Sequence, residues 1–309
     1  MVVLVSGGAG FIGSHVVEAL VGRGYEVRVL DNFSTGKRSN LPDSDLVRIY
    51  EGDISDIPTV QAAMTGCSAL VHLAAIASVE QSVQDPLGTH KTNLGGSLVL
   101  FEEAARAGVS RVVYASSAAV YGDTTELPIR ETSSLRPLTP YAIDKLAGEH
   151  YLAYYHRTGR FGAVTFRFFN VYGPRQDSQS PYSGVISIFL ERASRGAQIN
   201  VYGDGQQSRD FVYVTDVVSA LLAGLDATAA SNAMPIFNVA RGEETSLLDL
   251  ISTIETLDGI PGKIDVRHLP PRDGDIRHSL ADVRKLQHDF GWLAVTPLEQ
   301  GLRAILRAE

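Results

Sequence analysis

A doubly wound α/β fold, with a parallel sheet covered on both faces, is predicted by three features of the 309-residue sequence. Short apolar runs of about five residues, rich in Val, Ile and Leu, recur through its first half, as strands buried on both faces require. Stretches of helical length and spacing alternate with them, which specifies right-handed crossovers between parallel strands. A glycine-rich turn joins the first run to the first helical stretch.

In chain order the predicted strands are 2–6, 26–30, 47–51, 69–73 and 111–115, with a sixth at 163–167. Helices are predicted over 15–23, 57–64, 95–107 and 142–157. After Phe168 the composition changes: Gly, Pro, Ser and Gln concentrate at 173–184, 203–208 and 270–274. Long loops carrying Arg and aromatic residues point to a smaller region that covers a site on the first. A dinucleotide-binding domain over 1–166 and a ligand-binding domain over 167–309 are therefore expected. The apolar stretches 211–214 and 236–239 are candidates to return strands to the main body, so 208–240 is expected to rejoin it in part.

A hydrophobic fraction of 44% with 20% charged residues supports a sizeable core. The 35 acidic and 27 basic residues leave a net charge of −8, which argues against bulk nucleic-acid binding but leaves room for a phosphate held by a few local arginines. Cys67 is the single cysteine, so no internal disulfide or thiolate cluster is expected, and its thiol belongs in the core. None of the eight histidines has metal-ligand spacing. The start of the chain lacks the features of a signal peptide, and no run of 18 apolar residues occurs. A cytoplasmic protein without metal or membrane span is expected.

Gly7-Gly8-Ala9-Gly10-Phe11-Ile12-Gly13 follows the first strand and opens the first helix. Such glycines permit a tight turn, a close approach of backbone amides to a pyrophosphate, and close helix–sheet packing. The positive end of the helix then faces the phosphates. Asp31 ends the second strand, 18 residues beyond Gly13. A carboxylate there accepts the adenosine ribose hydroxyls and repels a 2′-phosphate, so NAD is expected rather than NADP. Lys37 and Arg38 read as solvated loop charges, and Asp53 either as an adenine contact or as a turn former. His72, at a strand end, reads as packed.

Tyr141 and Lys145 lie four apart at the start of a predicted helix and share one of its faces, with Pro140 as a start signal. An ammonium near a phenol favours the phenolate, which makes Tyr141 a candidate base. Ser116 and Ser117 follow the fifth strand, where open α/β sheets place ligands. His150 and His156 fall on different faces of the Tyr141 helix, and Tyr151, Tyr154 and Tyr155 read as packing or interface residues.

Five segments carry a resemblance: 7–14, His-Leu-Ala-Ala at 72–75, Ser-Ser-Ala-Ala-Val-Tyr-Gly at 116–122, Tyr-Ala-Ile-Asp-Lys at 141–145, and Arg-Phe-Phe-Asn-Val-Tyr-Gly-Pro at 167–174. Together with 202–214 they resemble the extended short-chain dehydrogenase/reductase family with its Rossmann-type fold, most closely the nucleotide-sugar epimerases and notably the UDP-hexose 4-epimerases. The resemblance covers nearly the whole chain. It implies Ser117, Tyr141 and Lys145 as catalytic residues, with Tyr141 and Lys145 also touching the cofactor. For NAD it implies Gly7, Gly10, Phe11, Ile12, Gly13, Asp31, Asn32, Asp53, Ile54, Leu73, Ala74, Ala75 and Ser116, with Asn93 and Phe168 at the nicotinamide end. Toward the UDP-sugar it implies Ser117, Tyr141 and Tyr202, with Asn170 at the diphosphate and Val185 a backbone contact. Arg209 and Arg272 match pyrophosphate clamps and Asp275 a uridine-ribose contact. The family's dimer joins the helices at 95–107 and 142–157, so a homodimer is implied.

Two departures narrow the resemblance. Where dehydratases of the family carry an Asp-Glu pair, this chain has Ala118 and Ala119, which cannot eliminate water, and the decarboxylases' Glu is absent there too. Alignment on Asp275 places Ser279 where epimerases restricted to glucose and galactose carry a bulky tyrosine. A small residue leaves room for an N-acetyl group, although Ser279 also reads as a cap for a helix beginning near Ala281. The expected function is 4-epimerisation of UDP-GlcNAc and UDP-GalNAc, with UDP-glucose and UDP-galactose also accepted. The alternatives are a UDP-glucose 4-epimerase, a nucleotide-sugar reductase, and a non-catalytic NAD-binding regulator.

Overall fold

The computed structural model describes residues 1–177, 184–227, 233–271 and 276–308. The apolar runs of the first half form strands in the predicted order: β1 (Val2–Ser6), β2 (Glu26–Asp31), β3 (Val47–Glu51), β4 (Ala69–His72), β5 (Arg111–Ser117) and β6 (Gly162–Phe168). Between them run α1 (Phe11–Gly22), α2 (Ile57–Met64), α3 (Val79–Gln84), α4 (Pro86–His90), α5 (Ser97–Arg106) and α6 (Pro140–Arg157). The helix predicted from residue 95 is the last part of a longer run, in which a π-helical stretch, Lys91–Gly96, links α4 to α5.

The second half supplies β7 (Asn170–Tyr172), α7 (Val185–Ser194), β8 (Ile199–Tyr202), β9 (Ser208–Tyr213), α8 (Val214–Asp226) and β10 (Ile236–Val239). It continues with β11 (Glu244–Ser246), α9 (Leu247–Glu255), β12 (Val266–Leu269), α10 (Arg284–Phe290) and α11 (Leu298–Ala308). Seven strands make the main sheet in the order β10-β6-β5-β4-β1-β2-β3. The recorded pairings among its strands are parallel. The order reverses between β1 and β4, so the ends of β1, β2, β4 and β5 surround the switch point at which such sheets bind ligands.

Two compact units divide the chain: Met1–Gly122, Ser134–Phe168 and Val218–Phe237 form one, and Asp123–Ser133, Phe169–Val217 and Asn238–Glu309 the other. The first unit therefore departs from the expected unbroken run over 1–166. Ile129 donates its N–H to Leu280 and accepts from Asp282, both at 2.8 Å, which stitches Asp123–Ser133 into the second unit. Ile236–Val239 does join the main sheet. The stretch 211–214 does not: β9 instead pairs parallel with β7 and antiparallel with β11. Asp210, fully buried in β9, accepts from the backbone of Arg241, Gly242 and Ala281, so this strand is tied to its own unit.

Each unit has its own apolar core. Leu4, Leu30, Leu70, Leu100, Phe101 and Leu152 are fully buried in the first, and Ile199, Val201, Leu250, Ile254 and Leu302 in the second. Each such side chain contributes about 1.5–3 kcal/mol on burial. Cys67 packs in the first core, where burial raises its thiol pKa. Helix α6 begins at Thr139, whose hydroxyl accepts from Ala142 N–H at 3.4 Å, with Pro140 in the first turn.

Gly148 allows α6 to approach β5, because a Cβ there would collide with the hydroxyl of fully buried Tyr114. Gly148→Ala should lower unfolding free energy by about 1–3 kcal/mol, read as a lower denaturant midpoint at unchanged slope. A parental midpoint would mean that the helix lifts freely from the strand.

Candidate active site

The glycine turn is held by its own backbone. Gly7 has φ +70, and a Cβ there would press on the backbone of Ala74 in the loop after β4, so glycine is required on both counts. Helix α1 has Gly10 at its N-terminal cap, no side-chain cap and no acidic residue in its first turn. Its leading amides, at Phe11, Ile12 and Gly13, therefore face forward with positive partial charge, which suits a pyrophosphate.

Asp31 is buried at the end of β2 and accepts from Ala9 N–H at 2.9 Å and Phe33 N–H at 2.8 Å. Its carboxylate thus belongs to the glycine turn. The Ala9 carbonyl is held in turn by Lys37 N–H at 3.0 Å and Asn40 Nδ2 at 2.9 Å. Lys37 therefore acts here through its backbone. Arg38 pairs with Glu51 at 2.5 Å and lies over the Phe33 ring.

Asp53 accepts from Ser55 N–H at 2.8 Å, Ser55 hydroxyl at 2.7 Å and Asn32 Nδ2 at 3.2 Å. Partial burial raises its carboxyl pKa, but these donors outweigh it and hold the group below its ordinary range. Asp53 is thus a turn former whatever it contacts beyond. Ile54 is buried against Gly96. In the loop after β4, the N–H groups of Leu73 and Ala74 reach the Ser6 carbonyl and hydroxyl at 3.1 and 3.4 Å, with Ala75 following. Asn93, in the π-helical stretch, spends its amide on Ile76, accepting at 2.8 Å and donating at 3.0 Å. That pins the same loop. His72 is packed, as read from the sequence, between the hydroxyls of Ser6 and Ser97 at 2.8 Å each. Burial and the charge of Lys145 hold it neutral.

Ser116 and Ser117 close β5, with Phe168 opposite Ser117 in register on β6. Ser117 accepts from Ala119 N–H at 3.2 Å, and its hydroxyl acts to lower the Tyr141 phenol pKa. Ala118 and Ala119 stand in the short turn it caps and themselves bring no carboxylate there. Lys145 is buried and donates to the Ala115 carbonyl at 2.7 Å, with Nζ 5.9 Å from the Tyr141 ring. Burial lowers its pKa to about 8, opposed by the charges of Glu149 and Asp144.

The electrostatics differ from the sequence expectation at one point. Burial raises the Tyr141 phenol, and what opposes it is the Ser117 hydrogen bond rather than the Lys145 ammonium, which is directed to Ala115. Tyr141 also lies in the first turn of α6, where the helix dipole favours an anion.

In the second unit, Asn170 opens β7 and is exposed, Val185 opens α7 behind Gly184, and Arg209 donates to the Ser208 and Ile276 carbonyls at 2.8 and 2.7 Å. Tyr202 ends β8 and lines a cavity of about 620 Å³ with Gly203, Gln207, Leu269, Pro271 and Ile276. Asp204 and Arg277 pair bidentately at its edge, at 2.7 and 2.8 Å. Gln207, His268, Leu269 and Arg277 were not singled out from sequence; the parallel pairing of β8 with β12 is what brings 268–271 beside Tyr202. Ser279 is buried and caps nothing, since the next helix, α10, starts only at Arg284. Arg272 and Asp275 lie outside the described residues.

A parallel sheet ordered around a glycine turn, an acidic residue ending β2, and a Ser–Tyr–Lys set at the end of β5 define a nicotinamide-dinucleotide enzyme of the short-chain dehydrogenase/reductase type. The chain belongs to the NAD dependent epimerase/dehydratase family, whose model matches residues 3–240. It is 38% identical to UDP-glucose 4-epimerase of Mycolicibacterium smegmatis, over 97% of this chain and 95% of that one. The UDP-glucose 4-epimerase of Thermotoga maritima, solved with UDP-glucose, superposes with a TM-score of 0.92 at 38% identity, covering 100% and 98% of the two chains. The UDP-N-acetylglucosamine 4-epimerase of Methanobrevibacter ruminantium, solved with UDP-N-acetylmuramic acid, gives 0.89 at 36% identity over 99% and 97%. The Thermus thermophilus UDP-glucose 4-epimerase in complex with NAD gives 0.89 at 38% identity over 100% and 98%.

Asp31→Ala should weaken NAD roughly 10–100-fold, the loss of charged hydrogen bonds worth about 1.5–3 kcal/mol, and narrow the preference over NADP. Titration calorimetry on cofactor-stripped protein measures both. Unchanged affinity would leave Asp31 as an anchor for Ala9 and Phe33 alone.

Proposed function

We propose that this NAD-dependent UDP-sugar 4-epimerase interconverts UDP-GlcNAc and UDP-GalNAc, and also accepts UDP-glucose and UDP-galactose. The observation that carries the substrate reading is Ser279, a small buried side chain that makes no helix cap; in this reading its small size leaves room for the sugar's 2-substituent. The likeness to an epimerase of UDP-N-acetylglucosamine supports it. A preference for plain hexoses is the second reading, favoured by the names of the curated relatives.

In this reading Tyr141 is the base: it removes the proton of the sugar 4-hydroxyl and later returns a proton to the same oxygen. Ser117, at the end of β5, shares that oxygen and holds it against the phenol. Lys145, buried and bonded to the Ala115 carbonyl, would hold a cofactor ribose hydroxyl. NAD, when bound, supplies a reversible two-electron acceptor for carbon 4. The resulting 4-keto sugar is reduced on its other face, so the reaction is redox-neutral overall. The glycine turn, Asp31, Asn32, Asp53, Ile54, Leu73, Ala74, Ala75, Asn93, Ser116 and Phe168 are assigned to NAD. Tyr202, Asn170, Val185, Arg209, Arg272, Asp275 and Ser279 are assigned to the UDP-sugar. A cytoplasmic location and a homodimer joined through α5 and α6 belong to the same proposal, the dimer supported by exposed Ile143, Tyr151 and Tyr154 on α6. Among the described residues no helix is long and apolar enough to cross a membrane.

Incubation of the purified protein, without added cofactor, with UDP-GlcNAc and separately with UDP-glucose, and resolution of the 4-epimers, tests the substrate reading. Faster conversion of UDP-GlcNAc supports it, and faster conversion of UDP-glucose selects the second reading. Tyr141→Phe should cut turnover by roughly 10²–10⁴-fold while NAD remains bound; parental turnover would remove Tyr141 as the base. Ser279→Tyr should abolish conversion of the N-acetyl sugars and spare UDP-glucose, and an unaltered ratio of the two rates would discard the size argument.

A further inference from the structure

The polar groups at the end of β5 engage α6 in a repeating way. Ala115 offers its carbonyl to Lys145 at 2.7 Å and Ser116 donates its hydroxyl to Glu149 at 2.5 Å. Tyr141, Lys145 and Glu149 are spaced four apart, so Lys145 and Glu149, on successive turns of the helix face that carries Tyr141, meet adjacent residues of the strand. The first rung carries Lys145 of the catalytic set proposed above. The second ends in a carboxylate that the mechanism does not use.

Glu149 is buried and fully engaged. Besides Ser116, it accepts from Arg167 Nε at 2.9 Å and Nη2 at 2.7 Å. Arg167, equally buried in β6, passes its remaining reach to the Tyr121 hydroxyl at 3.0 Å. The carboxylate thus locks α6 to two adjacent strands at once, one turn beyond Lys145. It also faces Lys145 with a negative charge. The other titratable groups around Lys145 are Tyr141 and Asp144 on α6, Tyr114 on β5 with its ring 5.1 Å from Nζ, and His72 on β4, with Arg167 on β6 compensating Glu149.

We propose that Glu149 is a positioning residue for the epimerisation: through Ser116 and Arg167 it fixes the register of α6 on β5 that seats Lys145 on Ala115 and holds Tyr141, one turn before it, at the end of the strand. The inference rests on the assignment of Ser117, Tyr141 and Lys145 made above. A rigid lock of this kind acts on turnover rather than on sugar binding, because a displacement of about 1 Å at reacting groups costs on the order of 10²-fold in rate.

The test uses the NAD-loaded enzyme with UDP-GlcNAc and UDP-glucose, and compares Glu149→Gln, Ser116→Ala and Tyr141→Phe. Ser116→Ala removes one rung and leaves the Glu149–Arg167 pair intact, so it should melt with the parent. It should lose roughly 3–10-fold in kcat at unchanged KM, a fraction of the full misplacement cost. Glu149→Gln should lose roughly 10–100-fold in kcat on the same ground. Its alkaline limb in kcat/KM should move to lower pH, because removing the facing anion makes the Lys145 ammonium easier to deprotonate. Bound NAD per chain, read by absorbance after denaturation, should stay parental in Glu149→Gln. Should Glu149→Gln fail to fold, Ser116→Ala decides alone. Parental kcat in Ser116→Ala, or losses in Glu149→Gln that follow melting temperature with an unmoved pH limb, would overturn the proposal. Full activity in Tyr141→Phe would instead remove the catalytic reading beneath it.

Discussion

Arg167 lies near the end of β6 with essentially no exposure, and a guanidinium so placed must be met by an anion and by acceptors for its remaining N–H groups. Glu149 provides the anion through two parallel hydrogen bonds, the geometry in which Arg pairs with a carboxylate most strongly. Tyr121 provides the further acceptor, and its ring lies 4.9 Å from the guanidinium carbon. Removal of either charge would strand the other in a low-dielectric interior, at a cost of about 3–5 kcal/mol. The positions of β5, β6, α6 and the turn after β5 are therefore coupled, and the end of β5 inherits that rigidity.

The site built on this frame is polarised in a definite sense. Burial raises the Tyr141 phenol and lowers the Lys145 ammonium, so each is pushed toward its neutral form. The Ser117 hydrogen bond and the start of α6 pull the phenol the other way. At the other end of the sheet, Asp31 fastens the glycine turn and the Phe33 peptide with one carboxylate.

The second unit stands on its own core and its own buried carboxylate. Asp210, beside Arg209 in β9, holds the backbone of Arg241, Gly242 and Ala281, while Arg209 reaches the Ile276 carbonyl. Burial raises the Asp210 carboxyl to about 7 against four backbone donors that lower it. The segment containing Ser279 is thereby attached on both sides, by Arg209 before it and by Asp210 after it.

Local patterns determined the order of strands and helices, the glycine turn, Asp31, the Tyr-x-x-x-Lys spacing and the serines ending β5. Each of these depends on periodicity or on residues close in the chain, which is why they are legible without coordinates. Strand pairing over long separations is not legible in that way: 211–214 looks the same whether it joins the main sheet or pairs with β7 and β11. For the same reason Asp123–Ser133 left the first unit unannounced, since one bridge between Ile129 and Ala281 decides it. Sequence pattern likewise singled out Tyr202 but not Leu269 or Arg277, which only the β8–β12 register brings to it. The Lys145 ammonium was placed beside the phenol by spacing, whereas its actual partner, the Ala115 carbonyl, depends on how closely Gly148 lets α6 pack against Tyr114. Residue types specified the chemistry available to this chain; three-dimensional packing decided which polar group each of them meets.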